Sequence, residues 1–206
     1  MARDRQPIVK QSRREGYALH QKAHKIMARK SAAPGKSGNE RTGKASLYST
    51  QLREKQKVRR IYGLLEKQFA NLMGEAERAK GMTGENLLQY LERRADNVVY
   101  RAGFAASRRA ARQLVSHGHF LLNGKRIDIP SIRVKPGDIL TVRPRSTKTE
   151  YFKHLSDVVG SSSQQQTLSW MKSNSAKMTV EVTGIPKREE AEVGINEQLI
   201  VEFYSR

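Results

Sequence analysis

The chain has 206 residues, enough for one or two domains, and its 39 Lys and Arg against 20 Asp and Glu give a formal net charge of +19. An excess this large repels itself in a compact fold, so it indicates a polyanionic partner. No apolar run reaches the about 20 residues of a membrane span and no signal-peptide core is visible, so we expect no membrane partner. Cysteine is absent, which excludes disulfides and thiolate metal sites.

Residues 1–45 are predicted to form an extended basic N-terminal arm. They are rich in Lys, Arg, Gly, Ser and Ala, and they carry too few large apolar side chains to fold alone. The segment 11–16 favours one or two helical turns, with Ser12 as the cap and Gly16 as the end. We expect this arm to become ordered only against RNA or neighbouring proteins.

Residues 46–94 are predicted to form a helical domain, because apolar residues recur there at helical spacing. The surface of its first helix is strongly cationic, whereas residues 61–94 balance five basic with five acidic side chains, which is typical of a scaffold. Helices are expected from Ser46 to about Gly63, from about 65 to near Gly81 and over 85–92, and a fourth short helix over 96–102 follows at the start of the next module.

An inserted module is predicted over 95–177, with its RNA-binding core at 95–155. Ser107 can cap a helix that ends at Gly118, with apolar residues on one face and arginines on another. Residues 95–150 carry eleven Lys and Arg against four acids, and such one-sided charge is typical of a surface that binds a polyanion. The alternative is a generic small α+β domain whose arginines are merely solvated.

Turn signals predict the sheet of this module. Asn123 and Gly124 can supply the two positive φ angles of a tight hairpin between the runs FLL and KRI. A Pro-Gly turn over 135–138 then precedes a short β-branched strand over 139–142. The chain is therefore predicted to be α+β: a mostly helical domain plus a module in which helices pack on a short, mostly antiparallel sheet.

Residues 178–206 are predicted to be a C-terminal tail. The alternation over 178–183 predicts a strand, and Trp170 just before the tail is expected to be a packing residue. The apolar run 199–204 is either a helix capped by Asn196 or a strand. Since apolar termini usually dock, we expect the tail to pack on the helical domain and complete it.

The histidines are the only candidates for a metal site. His20 and His24 could face one ion, but the arm offers no cysteine and no nearby carboxylate pair, so we expect no metal and no cofactor. His117 and His119 flank Gly118 and are expected to contact phosphate or 2′-hydroxyl groups, or to stabilise the helix end. Nucleophile-elbow, phosphate-loop and zinc-protease motifs are absent, so we expect no enzyme and no small-molecule substrate.

Three segments carry a family resemblance: QLREKQKVRRIYG at 51–63, LERRADNVVYRAGFAASRRAARQLVSHGHF at 91–120 and INEQLIVEFYSR at 195–206. They are similar to the first long helix, the signature and the C-terminus of the bacterial-type small-subunit ribosomal protein S-four family. The resemblance covers nearly the whole chain. The segment 106–143 alone is less specific, because similar modules are appended to tyrosyl-tRNA synthetases, pseudouridine synthases and ribosome-rescue factors.

The resemblance implies a cytoplasmic protein of the bacterial small ribosomal subunit that binds rRNA directly and nucleates assembly at a five-way helical junction. It implies contact with ribosomal protein S-five, a position near the point where mRNA enters, and a contribution to translational accuracy. Many relatives bind zinc through cysteines of the arm, so this cysteine-free chain represents a zinc-independent form. The alternatives are a ribosome-associated regulatory or rescue factor, and an RNA-modifying or tRNA-charging enzyme.

The candidate rRNA-binding residues are cationic or imidazole side chains expected to face phosphates, which a planar guanidinium bonds in pairs. They are Arg13, Arg14, Arg53, Lys57, Arg59, Arg60, Arg108, Arg109, Arg112, His117 and Lys125. Arg41 and Lys44, just ahead of the first long helix, are the candidates for contact with mRNA. We expect Arg108 and Arg112 to hold RNA and to contribute little to the stability of the fold.

Overall fold

A computed structural model of the chain describes residues 4, 6–30, 32–35, 44–155 and 168–205. Helices and one five-stranded antiparallel sheet make up the fold of these residues, which confirms the predicted α+β class. The helices are α1 (Ile8–Glu15), α2 (Gln21–Arg29), α3 (Leu47–Ile61), α4 (Glu66–Arg78), α5 (Thr83–Glu92), α6 (Ala95–Arg101), α7 (Arg108–Ser116), α8 (Pro144–Thr147), α9 (Glu150–Lys153) and α10 (Glu197–Tyr204). The strands are β1 (Phe120–Leu122), β2 (Lys125–Ile127), β3 (Ile139–Val142), β4 (Met171–Asn174) and β5 (Thr179–Val182).

The chain divides into two compact units. The first unit extends to Gly84 and resumes at Gly194, so it contains α1 to α4 together with α10. The second unit is Glu85–Val193 and contains the whole sheet. These limits differ from the predicted boundaries at 94 and 178.

Two helices give the described part of the arm a packed structure within the first unit. Ala23 of α2 is fully buried, and Gly16 ends α1 with a φ of +62°, as predicted. Ser12 does not cap this helix, because α1 begins one turn earlier, at Ile8. Ser12 is instead buried inside α1, where its Oγ donates to the carbonyl oxygen of Ile8 at 2.8 Å.

The long cationic helix α3 begins and ends where the sequence predicts. The Oγ of Ser46 accepts a hydrogen bond from the backbone N–H of Ser49 at 3.2 Å, which satisfies one of the free donors at the helix start. Gly63 follows the helix with a φ of +64°, a conformation that glycine adopts without strain.

The C-terminal run 199–204 is helical, which resolves the choice that its sequence leaves open. The Oδ1 of Asn196 accepts from the backbone N–H of Gln198 at 3.1 Å and caps α10. Ile200 of α10 is fully buried in the first unit, and Gln51 of α3 donates to Glu202 at 2.9 Å. α10 therefore lies against α3.

The sheet of the second unit has the strand order β2-β1-β3-β5-β4, and every neighbouring pair is antiparallel. The predicted hairpin is confirmed: Asn123 and Gly124 have φ of 50° and 78° between β1 and β2. The side chain of Asn123 also donates to Asp138 at 2.8 Å and accepts from the backbone N–H of Ile139 at 2.9 Å. These bonds tie the hairpin to the turn before β3.

Strand pairing explains why residues 178–193 belong to the second unit and not to the tail. β5 pairs with both β3 and β4, and its Val180 and Val182 are buried in the same cluster as Leu140. β4 has the sequence MKSN, whose polar residues give no strand signal. A sequence pattern that misses β4 cannot show that β5 completes a sheet.

Buried side chains from α6, α7, α9 and all five strands form one core in the second unit. Phe120 lies at its centre, with ring centroids of Phe104 and Phe152 both at 6.2 Å. Trp170 is only 2% exposed, and its Nε1 has no hydrogen-bond partner among the described residues. Trp170 therefore serves the core as an apolar surface, in agreement with its predicted packing role.

This environment predicts that Trp170→Phe is tolerated far better than Trp170→Ala. The alanine variant should lose about 3–5 kcal/mol of unfolding free energy, because it leaves a large cavity. Phenylalanine retains most of the contact area, and its introduction breaks no hydrogen bond to a described residue. Urea unfolding of the two variants measures the difference. Equal losses would mean that the indole N–H carries the stabilisation.

Candidate nucleic-acid interface

Arg108, at the start of the predicted RNA-binding helix, is engaged inside the second unit. The Oγ of Ser107 accepts from the backbone N–H of Ala110 at 3.2 Å and caps α7, as predicted. Arg108 then donates to the Oδ1 of Asn97 at 2.8 Å and to the carboxylate of Glu192 at 2.6 Å. Its guanidinium also lies 4.5 Å from the ring centroid of Tyr100.

Arg112 is also held within the fold, four residues further along α7. Its guanidinium is 3.9 Å from the carboxylate of Asp96, which also accepts two hydrogen bonds from Arg94, at 3.0 and 2.8 Å. Burial lowers the pKa of Arg112, and Asp96 opposes this shift. Arg108 and Arg112 therefore support the fold, contrary to the expectation that they contribute little to it.

Glu92 completes this arrangement from the end of α5. Its side chain is buried, and it accepts from Arg101 at 2.9 and 3.1 Å and from the amide of Asn97 at 2.7 Å. Arg101 also donates to Glu192 at 3.2 Å, so Glu192 binds Arg101 and Arg108 together. Three carboxylates of the second unit thus hold four arginines.

Other candidates of the module project outward. Arg109, next to Arg108, is exposed and has no ion pair or hydrogen bond from its side chain to any described residue. Lys125 at the start of β2 is exposed and equally unpaired within the described ranges. His117 is exposed at the end of α7, with its ring centroid 6.0 Å from that of His119. These three remain available to a partner.

The cations predicted on α3 are neutralised by acids of the first unit. Arg53 and Arg60 both pair with Glu15 of α1, whose side chain is fully buried. Burial raises the pKa of Glu15 although both arginines oppose that rise. Lys57 pairs with Glu54 at 2.8 Å and donates to the carbonyl oxygen of Gly194 at 2.7 Å.

Arg59 and the arm arginines are likewise tied to neighbours. Arg59 donates to the Oε1 of Gln56 at 3.0 and 2.7 Å. Arg13 and Arg14 donate to backbone carbonyl oxygens of the segment after α2, at 3.0 and 3.5 Å. A single backbone acceptor leaves most donors of a guanidinium unused, so both arm arginines keep binding capacity. Lys44 is exposed, and Arg41 lies outside the described residues.

A cationic face of α2 was not among the predicted binding residues. Lys22, Lys25 and Arg29 recur at i, i+3 and i+7 on α2, so they share one face of that helix. All three are exposed, and none has a side-chain partner within the part of the chain that the structure describes. The spacing of these three residues is visible in the sequence. It places them on one face only if residues 21–29 form a helix, and the sequence predicts an extended arm there.

Neither a metal-ligand cluster nor a membrane-spanning helix occurs among the described residues. Within the described ranges, no group of three or more His, Cys, Asp or Glu side chains could hold a metal ion. The Nδ1 of His20 accepts from the backbone N–H of Lys22 at 3.1 Å and caps α2. Among the described helices, none is long and apolar enough to cross a membrane.

The contrast between two adjacent arginines gives a direct prediction. Arg108→Gln should lower the unfolding free energy by about 2 kcal/mol, because it removes charged hydrogen bonds to Glu192 and Asn97. Arg109→Gln removes the same charge from an exposed, unpaired position, so it should weaken RNA binding and leave stability within about 0.5 kcal/mol of the parent. Urea unfolding together with filter binding separates the two effects. Equal stabilities of the two variants would contradict the assignment.

Two family models match the chain in succession. Residues 3–92 match the ribosomal protein S4/S9 N-terminal domain, and residues 93–140 match the S4 domain. The chain is 49% identical over its full length to the small ribosomal subunit protein uS4 of Roseiflexus sp. (strain RS-1), all of which it covers. It is also 49% identical to the protein of the same name from Chloroflexus aurantiacus and 47% identical to that from Chlorobium limicola, in both cases over the full length of the two chains. The chain therefore belongs to the ribosomal protein S4 family that its motifs resemble.

Proposed function

We propose that the chain is a structural component of the bacterial small ribosomal subunit that binds small-subunit rRNA and has no catalytic role. The observation that carries this proposal is a set of exposed cations without partners among the described residues, in a member of the ribosomal protein S4 family. They are Lys22, Lys25 and Arg29 in the first unit and Arg109 and Lys125 in the second. Its place would be the cytoplasm, within the ribosome.

Binding in this proposal is electrostatic, with selection by RNA shape. Double-helical RNA hides its base edges in a deep, narrow groove, so a protein reads phosphates, 2′-hydroxyls and the geometry of junctions. Cations that project from a folded surface suit this kind of recognition. Their backbone positions are already set before binding, so less conformational entropy is lost when the RNA binds. The internal ion pairs of Glu15, Glu92 and Glu192 supply that rigidity.

The family resemblance supports a more specific role in assembly and translation. We infer that the protein is a primary rRNA binder that nucleates assembly at a helical junction, contacts ribosomal protein S-five, lies near the entering mRNA through Arg41 and Lys44, and contributes to accuracy. An apolar patch of the first unit supports a protein contact. Leu47 and Tyr48 are 60% and 51% exposed, and the ring of Tyr48 lies 5.7 Å from that of Phe203.

A ribosome-associated rescue or regulatory factor is the alternative function, because such factors carry the same module. Sedimentation separates the two classes. A structural component should remain at one copy per small subunit after a high-salt wash, since it is held by rRNA and by neighbouring proteins. A factor should be stripped by the wash, and loss of this chain under those conditions would contradict the proposal.

The α2 face predicts a specific salt dependence of rRNA binding. Lys22/Arg29→Gln should reduce the slope of log K against log salt concentration by about two, because two phosphate contacts and their counterions are lost. Lys67/Arg78→Gln is the matched control, since it removes the same charges from α4, where they alternate with glutamates. The control should keep the parental slope. Equal reductions would mean that net charge, and not the α2 face, governs binding.

A further inference from the structure

Four cationic or imidazole side chains of the second unit converge beside Gly118. They are His117 and His119 on either side of the glycine, Arg126 of β2 and Arg143 directly after β3. We call this group the Gly118 cluster. His117 and His119 were both expected to contact phosphate or 2′-hydroxyl groups, whereas Arg126 and Arg143 were not among the predicted binding residues.

The turn at Gly118 builds the cluster. Its φ of +72° ends α7 and turns the chain into β1. A Cβ at this position would lie 2.8 Å from the Cζ of Arg126, so only glycine lets the guanidinium pack over the turn. The backbone N–H of Arg143 donates to the carbonyl oxygen of His119 at 2.8 Å, which fixes the end of β3 beside the same turn.

The positive charge of the cluster is uncompensated. Arg126 and Arg143 form no ion pair with any residue in the described ranges. The groups that act electrostatically on His119 are His117, Arg126 and Arg143, all of them cations or potential cations. This differs sharply from Arg101 of α6 and from Arg108 and Arg112 of α7, which carboxylates hold.

His119 is fixed in place by two neutral neighbours. Its Nδ1 lies 3.0 Å from the hydroxyl of Ser146 in α8, and its ring packs edge-on against Phe152 of α9, with centroids 5.9 Å apart. Because Nδ1 is engaged by a hydroxyl, Nε2 is the nitrogen that remains for an anion. A fixed imidazole among unpaired guanidinium groups matches the needs of a phosphate, which accepts several charge-assisted hydrogen bonds.

We propose that the Gly118 cluster binds an RNA phosphate and that this binding is coupled to uptake of a proton by His119. The inference rests on the proposed function, since it takes rRNA as the source of the phosphate. It adds to that function a defined anion site, two further binding residues, Arg126 and Arg143, and a dependence of rRNA affinity on pH through His119.

The direction of this dependence follows from the surroundings of His119. Burial, and then the charges of its neighbours, hold the pKa of His119 below its ordinary value. At His119 the free native protein therefore binds fewer protons than the unfolded chain, so the contribution of this residue to stability decreases as the pH falls below about 6.5. A bound phosphate favours the imidazolium form, so the complex takes up a proton. Affinity for RNA accordingly rises over the pH range in which stability falls.

The test measures binding of the full chain to a small-subunit rRNA junction fragment between pH 7.5 and 5.5 at constant ionic strength. The affinity of the parent should rise about tenfold for each unit by which RNA raises the pKa of His119. His119→Gln should flatten most of this rise, whereas His24→Gln, which removes a histidine of α2, should retain it. A rise that survives in His119→Gln would overturn the proposal.

The arginines give an independent readout at fixed pH. Arg126→Gln and Arg143→Gln should each weaken binding by about tenfold. Lys135→Gln, which removes a charge at the opposite end of β3, should change it by about twofold or less. Equal effects of all three variants would overturn the assignment of a local site. Absence of junction binding by the parent at any pH would instead refute the proposed function.

Imidazole NMR of the unmodified chain covers the case in which His119→Gln fails to fold. The pKa of His119 should rise when the rRNA fragment binds, and an unchanged value in the complex would overturn the proposal. Inorganic phosphate at the same pH serves as the second probe. If RNA raises the pKa of His119 and inorganic phosphate does not, the site recognises the RNA polymer. If both raise this pKa, the site recognises the phosphate group itself.

Discussion

Carboxylates within the fold decide which cations of the described residues are paired and which are available to a partner. Glu15 holds two arginines in the first unit, and Glu92, Asp96 and Glu192 hold four in the second. A guanidinium that leaves water costs several kcal/mol unless a carboxylate and hydrogen bonds compensate it. These acids therefore hold five largely buried arginines within the fold, namely Arg60, Arg94, Arg101, Arg108 and Arg112. Arg53 is paired in the same way but its side chain remains 40% exposed.

The division has a functional consequence. A chain of net charge +19 that left every cation free would repel itself, and a chain that paired them all would have nothing with which to hold RNA. Here paired arginines lie on α3, α6 and α7. The cations that have no partner among the described residues include those of the α2 face, Arg109, Lys125 and the arginines of the Gly118 cluster. In the proposed function, a rigid fold beneath the unpaired group reduces the entropy lost when RNA binds.

Local signals predicted much of this fold, and long-range pairing accounts for what they missed. The hairpin was predicted correctly from Asn123 and Gly124, and the start of α7 was predicted correctly from Ser107. Both predictions succeeded because turns and caps depend on adjacent residues. The partner of Arg108 is Glu192, which is 84 residues away, and no local pattern links them. β4 is a second case in which local sequence is insufficient, because its polar residues form a strand only through pairing with β5.

Arginine modification by phenylglyoxal, quantified by mass spectrometry in the free protein and in its rRNA complex, tests the division most directly. Arg29, Arg109 and Arg126 should react in the free protein and become protected by RNA. Arg60, Arg94 and Arg108 should resist modification in both states, because each guanidinium is largely buried and paired with a carboxylate. Rapid modification of this second group in the free protein, or continued reactivity of the first group in the complex, would contradict the account.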